Sequence, residues 1–132
     1  NNILQEAIDK ATAGSKLSLP AGTFEGNILI SKPLIIEGVS GKTIIKGDGN
    51  GTVITIRSSN VSIKNLSIVH SGDRHEKVDA GISISKAKQV TILNCRITDC
   101  LFGIDMAEVT DSQINENYIE SKPFSLGLRG DG

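Results

Sequence analysis

Apolar and polar residues alternate along most of the chain in short runs, and three of these runs align without gaps. The aligned runs begin at Val61, Val90 and Ser112, and each has isoleucine at its third and eighth positions. Alternation over four to eight residues is typical of a β-strand with one buried face. The isoleucines step by 29 and then by 22 residues in two columns, Ile63/Ile92/Ile114 and Ile68/Ile97/Ile119.

A second marker lies between the aligned runs. Glycine followed by an apolar residue recurs at Gly81, at Gly103 and, less cleanly, at Gly127, in steps of 22 and 24 residues. Strands this short cannot bury one face alone, so each repeat needs a neighbour above and below it. Leucine-rich repeats are excluded, because their spacing is Leu-x-x-Leu-x-Leu. The sequence therefore predicts an all-β fold, a right-handed parallel β-helix of about four to five coils.

The first residues depart from this alternation and predict a helix. Asn2 and Gln5 have the spacing of a capping box, and Gly14 is placed to end the helix in a left-handed conformation. A β-helix has an open apolar end that a short amphipathic helix can cover, so we expect residues 2–13 to form that cap. The apolar side chains of this segment fall on one helical stripe: Leu4, Ala7, Ile8 and Ala11.

The length of 132 residues suits one domain, and we expect residues 1–132 to form a single β-helix domain. No second capping segment follows the last repeat, and the pattern stops at the turn-like Arg129-Gly130-Asp131-Gly132. We therefore expect the chain to be the N-terminal part of a longer solenoid, whose open last coil is able to pair between molecules.

The composition of the chain limits the classes of partner that it is expected to bind. The 14 basic and 15 acidic residues give a net charge of −1, which argues against nucleic acid as a partner. No apolar run is long enough to span a membrane. Cys95 and Cys100 do not have the spacing of a zinc site. We expect one buried thiol and one turn thiol, and a disulfide between the two is an alternative that the sequence does not decide.

An insertion interrupts the repeat within residues 70–80. The step from Ile68 to Gly81 is 13 positions, whereas the step from Ile97 to Gly103 is six, so seven residues are inserted in this coil. Insertions in a solenoid project from one face, and loops on a rigid scaffold often carry function.

The inserted segment holds both histidines of the chain, His70 and His75. Imidazole nitrogens bind divalent transition metals and copper, so we predict a metal site at these two residues, completed by a nearby carboxylate. The alternative is a solvated loop of mixed charge in which the histidines are incidental. The carboxylates available in the segment are Asp73, Glu76 and Asp79.

Three further predictions follow from the columns. Asn117 occupies the column of Leu66 and Cys95, so its side chain is expected to face inward and bond the backbone of the turns. Met106 aligns with Ile84 and is expected in the core. Three acidic residues would either form a carboxylate cluster on one side of the stack or lie solvated near turns: Asp99, Asp105 and Asp111.

Several segments carry a resemblance to known families. Residues 4–11, Gly14 and residues 17–24, with Leu-Pro-Ala-Gly-Thr-Phe at the end, resemble the opening of pectin-lyase-like β-helices. More specific are Lys-Pro-Leu-Ile-Ile-Glu-Gly at 32–38, the Ile-x-x-Asn-x-Ile of residues 114–119 and the Leu-Arg-Gly-Asp-Gly that ends the chain. Together they resemble the NosD family, periplasmic proteins that assist maturation of the copper enzyme nitrous-oxide reductase.

This resemblance implies a periplasmic accessory protein, and because no intact catalytic signature is present we expect that it is not an enzyme. Such a protein would work with an ABC transporter, dock the apo-reductase and help to assemble its copper centre. No ligand motif of the family matches here, so the metal assignment at His70 and His75 depends on the inserted segment alone. Two alternatives are a polysaccharide lyase, hydrolase or epimerase, whose usual carboxylate signatures are missing, and a non-catalytic structural or adhesive solenoid.

Overall fold

The computed structural model describes residues 2–122, which form a parallel β-helix capped by one helix at its first coil. Helix α1 (Ile3–Lys10) is followed by coil 1, with β1 (Lys16–Ser18), β2 (Gly22–Glu25) and β3 (Ile28–Ile30). Coil 2 contains β4 (Leu34–Glu37), β5 (Thr43–Lys46) and β6 (Ile54–Ile56). Coil 3 contains β7 (Val61–Lys64), β8 (Ser67–Val69) and β9 (Ala80–Lys88). Coil 4 contains β10 (Thr91–Leu93), β11 (Arg96–Cys100) and β12 (Phe102–Thr110), and coil 5 contributes β13 (Gln113–Asn115) and β14 (Tyr118–Ser121).

The first, second and third strands of successive coils stack into three separate sheets, here called the first, second and third sheets. All neighbouring strands are parallel, and they pair in register except for a shift between Thr98 and Cys100 where β11 meets β14. The coil count of four to five predicted from the repeat is confirmed, and so is the capping helix. The core is a continuous column of aliphatic side chains between the three sheets.

The two predicted isoleucine columns are the centre of this core. Ile92 pairs with Ile63 below it and Ile114 above it, and Ile97 pairs in the same way with Ile68 and Ile119. Each column buries branched side chains against their equals in neighbouring coils, which is how a strand too short to be stable alone gains its apolar contacts.

The glycine marker is explained by close packing at a corner. Gly81 and Gly103 occupy matching positions, since the residues around them pair in register. A Cβ on Gly81 would lie 2.5 Å from the Ile97 Cγ2 atom, and one on Gly103 would overlap Ile119 in the same way. Glycine is therefore required where the third sheet passes the isoleucine column of the second. The third marker, Gly127, and the final block at 128–132 lie outside the described residues.

Helix α1 is shorter than predicted. Asn2 caps it, with its Oδ1 atom accepting from the Gln5 N–H at 2.9 Å. The helix ends at Lys10 rather than at residue 13, because Ala11 is already extended. Gly14 has the expected positive φ of 85°, but in the turn that follows the helix.

The sequence suggested that Gln5 completes a capping box, but its side chain does not. Its Oε1 accepts from the Leu29 N–H at 2.7 Å, and its Nε2 donates to the Leu29 carbonyl at 3.0 Å. The amide thus satisfies both backbone groups of Leu29 in β3, the first strand of the third sheet, on a side that would otherwise be an open edge. Helix α1 therefore covers this strand edge with polar groups. It covers the apolar core with Leu4 and Ile8, which are both buried.

Asn117 faces inward, as predicted. Its Oδ1 accepts from the Cys95 N–H at 2.7 Å and its Nδ2 donates to the Ile92 carbonyl at 2.9 Å. Met106 pairs with Ile84 as predicted but is not a core residue, because 51% of its surface is exposed. Its strand β12 is the last in the third sheet among the described residues.

Both cysteines are buried, free thiols. Cys95 lies at a corner and its Sγ contacts the Ile63 carbonyl, whereas Cys100 ends β11. The expected turn thiol is Cys95, which lies between β10 and β11, and it is buried as Cys100 is. Burial raises the pKa of Cys95 to about 11 and also raises the pKa of Cys100, so neither is a reactive thiolate at neutral pH. Within residues 2–122 no helix is long and apolar enough to cross a membrane.

Candidate functional site

The candidate site lies at the corner where each coil turns from its second to its third strand. This turn takes two residues in coil 1 and one in coil 4, but seven in coil 2 (47–53) and ten in coil 3 (70–79). The inserted loop, residues 70–79, therefore lies directly on the long turn of coil 2, and the Gly72 N–H donates to the Gly51 carbonyl at 2.9 Å. The predicted insertion is confirmed at this place.

His70 begins the inserted loop and is held from the next coil by Asp99. Its Nδ1 lies 2.8 Å from the Asp99 Oδ2, and its backbone N–H donates to the Asp99 carbonyl at 3.1 Å. An ionised carboxylate only accepts hydrogen bonds, so Nδ1 carries the hydrogen and Nε2 of the neutral ring keeps its lone pair. That nitrogen faces Gly49, where a Cβ would lie 3.2 Å away.

The far side of the inserted loop is closed by Arg74 and Asp79. The Asp79 Oδ2 accepts from both the backbone N–H and the Nε of Arg74, at 3.1 and 3.0 Å, and Oδ1 accepts from Nη2 at 3.2 Å. Asp79 is only 2% exposed, whereas Arg74 is about half exposed. Burial raises the pKa of the Asp79 carboxyl, but the hydrogen bonds and charge of Arg74, with the N–H of Gly51, hold it below its usual value.

Contacts with coils 4 and 5 anchor the start of the loop. The buried Ser71 Oγ accepts from the Leu101 N–H at 2.8 Å and donates to the Gly72 carbonyl at 2.9 Å. The Lys122 ammonium donates to the Ser71 carbonyl and to the Asp73 carboxylate, both at 2.8 Å. The inserted loop is thus fixed by coils 2, 4 and 5 together, so it presents its outer side chains on a rigid base.

His75 lies farther along the inserted loop, with its ring edge-on to Phe102 at a centroid distance of 6.0 Å. Within residues 2–122, His, Cys, Asp and Glu side chains form no group of three or more that could hold a metal ion. A metal ion with three or more such ligands would thus need at least one from outside residues 2–122. The Asp99 carboxylate does fit the outer-shell partner that orients a metal-binding histidine. The assignment of a metal to His70 and His75 stays a prediction.

The three acidic residues at 99, 105 and 111 do not form a cluster. Asp99 binds His70 at the corner described above, Asp105 lies on the outer face of β12, and Asp111 lies at the corner after β12. Each occupies a different side of the coil, because the coil turns between them. The hypothesis of a carboxylate cluster on one side of the stack is therefore wrong.

Sequence reasoning missed the two pairs that shape the site. The His70–Asp99 pair had a usable signal, since its separation of 29 residues equals the step from Ile68 to Ile97. The Arg74–Asp79 pair had none, because both residues belong to the insertion and no other coil within residues 2–122 has an equivalent.

Comparison with known proteins gives matches along most of the chain. A family model described as a right handed beta helix region matches residues 21–123. A protein of Pseudomonas aeruginosa named "Probable ABC transporter binding protein NosD" is 25% identical over 112 residues, which cover 84% of this chain and 26% of that protein. The chain therefore spans about a quarter of the length of that relative.

A solved structure shares the fold. The crystal structure of a pectin methylesterase mutant in complex with a hexasaccharide superposes with a TM-score of 0.52 and 15% identity, over 73% of this chain and 44% of that one. Identity this low shows the fold alone. The comparisons confirm the predicted right-handed hand of the β-helix and the predicted resemblance to NosD.

Proposed function

Because this chain belongs to the right-handed β-helix family and resembles NosD, we propose that it is an accessory protein of the NosD type. The observation that carries the proposal is the similarity to the Pseudomonas protein along 84% of this chain. In this proposal the chain binds and positions other proteins, and it catalyses no reaction itself.

The finer proposal follows the family resemblance. The protein would act in the periplasm, associate with an ABC transporter and assist assembly of the copper centre of nitrous-oxide reductase. The name of the Pseudomonas relative supports the transporter as a partner. The rigid base of the inserted loop suits a docking role, since a surface already ordered before binding loses little conformational entropy on association.

Co-purification with candidate partners tests this proposal. The full-length protein, immobilised, is expected to retain the ABC transporter subunits and the apo-reductase of its own organism, with and without copper. The matched control is an immobilised pectin methylesterase, whose β-helix is similar in fold alone. If the full-length protein retains neither partner above the level of this control, the proposed function is wrong.

Copper is proposed as the cargo, with His70 and His75 as candidate ligands. We expect the full-length protein to bind Cu(I) in a competition titration against a chromogenic chelator, and His70→Ala to weaken binding at least tenfold. Asp99→Asn is expected to weaken it by about 10- to 100-fold, because an outer-shell carboxylate orients the histidine it bonds.

The matched control for that titration is Asp105→Asn, which removes a carboxylate on a different side of the coil. Its copper affinity is expected to equal that of the unmodified protein. Binding that is unaffected by His70→Ala and His75→Ala would exclude the inserted loop as the copper site, while leaving the docking role to be judged by co-purification.

A further inference from the structure

A second unusual corner lies between the first and second strands of each coil. This corner takes two residues in coils 3, 4 and 5 but five in coil 2, residues 38–42. The long turn extends along the stack toward coil 4, where the Ser40 Oγ accepts a hydrogen bond from the Asn94 Nδ2 at 3.3 Å. It thereby forms one wall of a cavity of about 220 Å³, here called the Arg96 pocket, which is also lined by Ser67, Arg96, Glu116 and Tyr118.

The opposite wall of the Arg96 pocket is a stacked pair of side chains. Arg96 and Tyr118 are register neighbours on the outer face of the second sheet, and the guanidinium carbon lies 4.4 Å from the centre of the tyrosine ring. This cation–π contact holds the guanidinium over the tyrosine ring.

The donors of Arg96 are unused within the described chain. No side chain of residues 2–122 forms an ion pair or hydrogen bond with its guanidinium. Ser40 accepts from Asn94, so its own hydroxyl hydrogen remains available to a ligand. An oriented guanidinium with free edge donors matches a carboxylate, which it binds through two parallel hydrogen bonds.

Glu116 adds a second requirement at the rim of the pocket. It lies beyond ion-pair distance of Arg96, and as an acceptor it favours a ligand that carries an N–H donor beside its carboxylate. An acidic residue within a polypeptide has both groups. A sugar acid is the poorer match, because Arg96 covers the tyrosine face on which a pyranose ring would stack. No other aromatic side chain of residues 2–122 lines the pocket.

We propose that the Arg96 pocket receives an aspartate or glutamate side chain of a partner protein. Its volume is below the roughly 300 Å³ at which pockets for small molecules begin, and it suits a single side chain. Arginine and tyrosine are also the residue types that most often dominate binding energy at protein interfaces. The inference rests on the proposed function, which requires a partner protein, and it specifies the chemistry that the partner offers.

The test uses two short peptides and nuclear magnetic resonance of the full chain. Acetyl-Ala-Glu-Ala-amide is expected to give saturable shifts of the backbone amides of Ser67, Arg96 and Tyr118. The isosteric acetyl-Ala-Gln-Ala-amide is expected to give none. Arg96→Gln is expected to weaken binding of the glutamate peptide about tenfold, and Tyr118→Leu by a few-fold, because the guanidinium loses its orientation.

Arg57→Gln is the matched control, since Arg57 is exposed just after the end of β6, outside the Arg96 pocket. It is expected to bind the glutamate peptide as the unmodified chain does. The thermal midpoint should be the same in all three variants, which separates lost binding from lost folding.

Three results would overturn the proposal. They are no saturable shift at the pocket amides, equal affinity of Arg96→Gln for the glutamate peptide, or tighter binding of methyl galacturonoside than of that peptide. The last result would make the pocket a site for acidic sugars. The peptide experiment uses no whole partner protein, so it is independent of the co-purification. A negative peptide result does not contradict the proposed function, and a negative co-purification does not contradict peptide binding at the Arg96 pocket.

Discussion

Replacing Ile68 with alanine is expected to lower the free energy of unfolding by about 3 to 4 kcal/mol. Ile68 is 0% exposed and lies between Ile45 and Ile97 in the column of the second sheet. Removing three carbons there costs their transfer free energy and leaves a cavity, because neighbours paired through the backbone ladder cannot collapse into it. Urea unfolding followed by circular dichroism measures the change.

Ile119→Ala is the matched control, because Ile119 occupies the same column in coil 5 but is 41% exposed. Its loss is expected to be less than half as large, since less buried surface disappears and water can fill the space. Equal losses at both positions would mean that stacking along the column is not the source of stability.

The architecture was predictable because repetition turns sequence separation into spatial contact. Once coils stack in register, residues one repeat apart must be neighbours, and the steps of 29 and 22 residues are the pairings of Ile63, Ile92 and Ile114. Predictions failed where repetition ends. The exposure of Met106 depends on what covers β12. The alignment of Met106 with Ile84 gives no information about that.

The end of the capping helix was mispredicted for a similar reason. The apolar stripe and the C-cap expected at Gly14 extended the prediction to residue 13. In the structure, Lys32 donates from coil 1 to the carbonyls of Asp9 and Ala11, at 2.9 and 2.8 Å. These tertiary hydrogen bonds satisfy the carbonyls at the end of a shorter helix. A contact between the helix and a loop some 20 residues later leaves no periodic signal in the sequence.

Sequence reasoning located the candidate site but did not predict the side-chain contacts that form it. The excess length of coil 3 identified the inserted loop, and applying its step of 29 residues to the corner would have paired His70 with Asp99. The Arg96 pocket was missed altogether, because it depends on the turn of coil 2 reaching Asn94 of coil 4. Its residues are unremarkable in the sequence, and only their stacking orients Arg96.

Asp79→Asn is expected to lower the free energy of unfolding by about 2 to 3 kcal/mol at pH 7. Breaking a fully buried ion pair typically costs about 3 to 5 kcal/mol, and here Arg74 is half exposed and regains water. Hydrogen exchange at the amides of Gly72 and Arg74 should also quicken as the inserted loop loosens. Asp73→Asn is the matched control: its exposed carboxylate pairs with Lys122, so the loss should stay below about 1 kcal/mol.

The pH dependence of the same variant separates charge from packing. Burial raises the pKa of Asp79, but Arg74 and the Gly51 N–H lower it by more, so the folded-state pKa lies below the usual value of 3.8. The folded chain then binds this proton less readily than the unfolded chain. The stabilisation by Asp79 is therefore complete above the unfolded pKa and is lost as the pH falls through the folded one. Urea unfolding at pH 7 and near pH 3 should show the gap between the unmodified chain and Asp79→Asn narrowing. A gap of equal size at both values would show that shape, and not the carboxylate charge, closes the inserted loop.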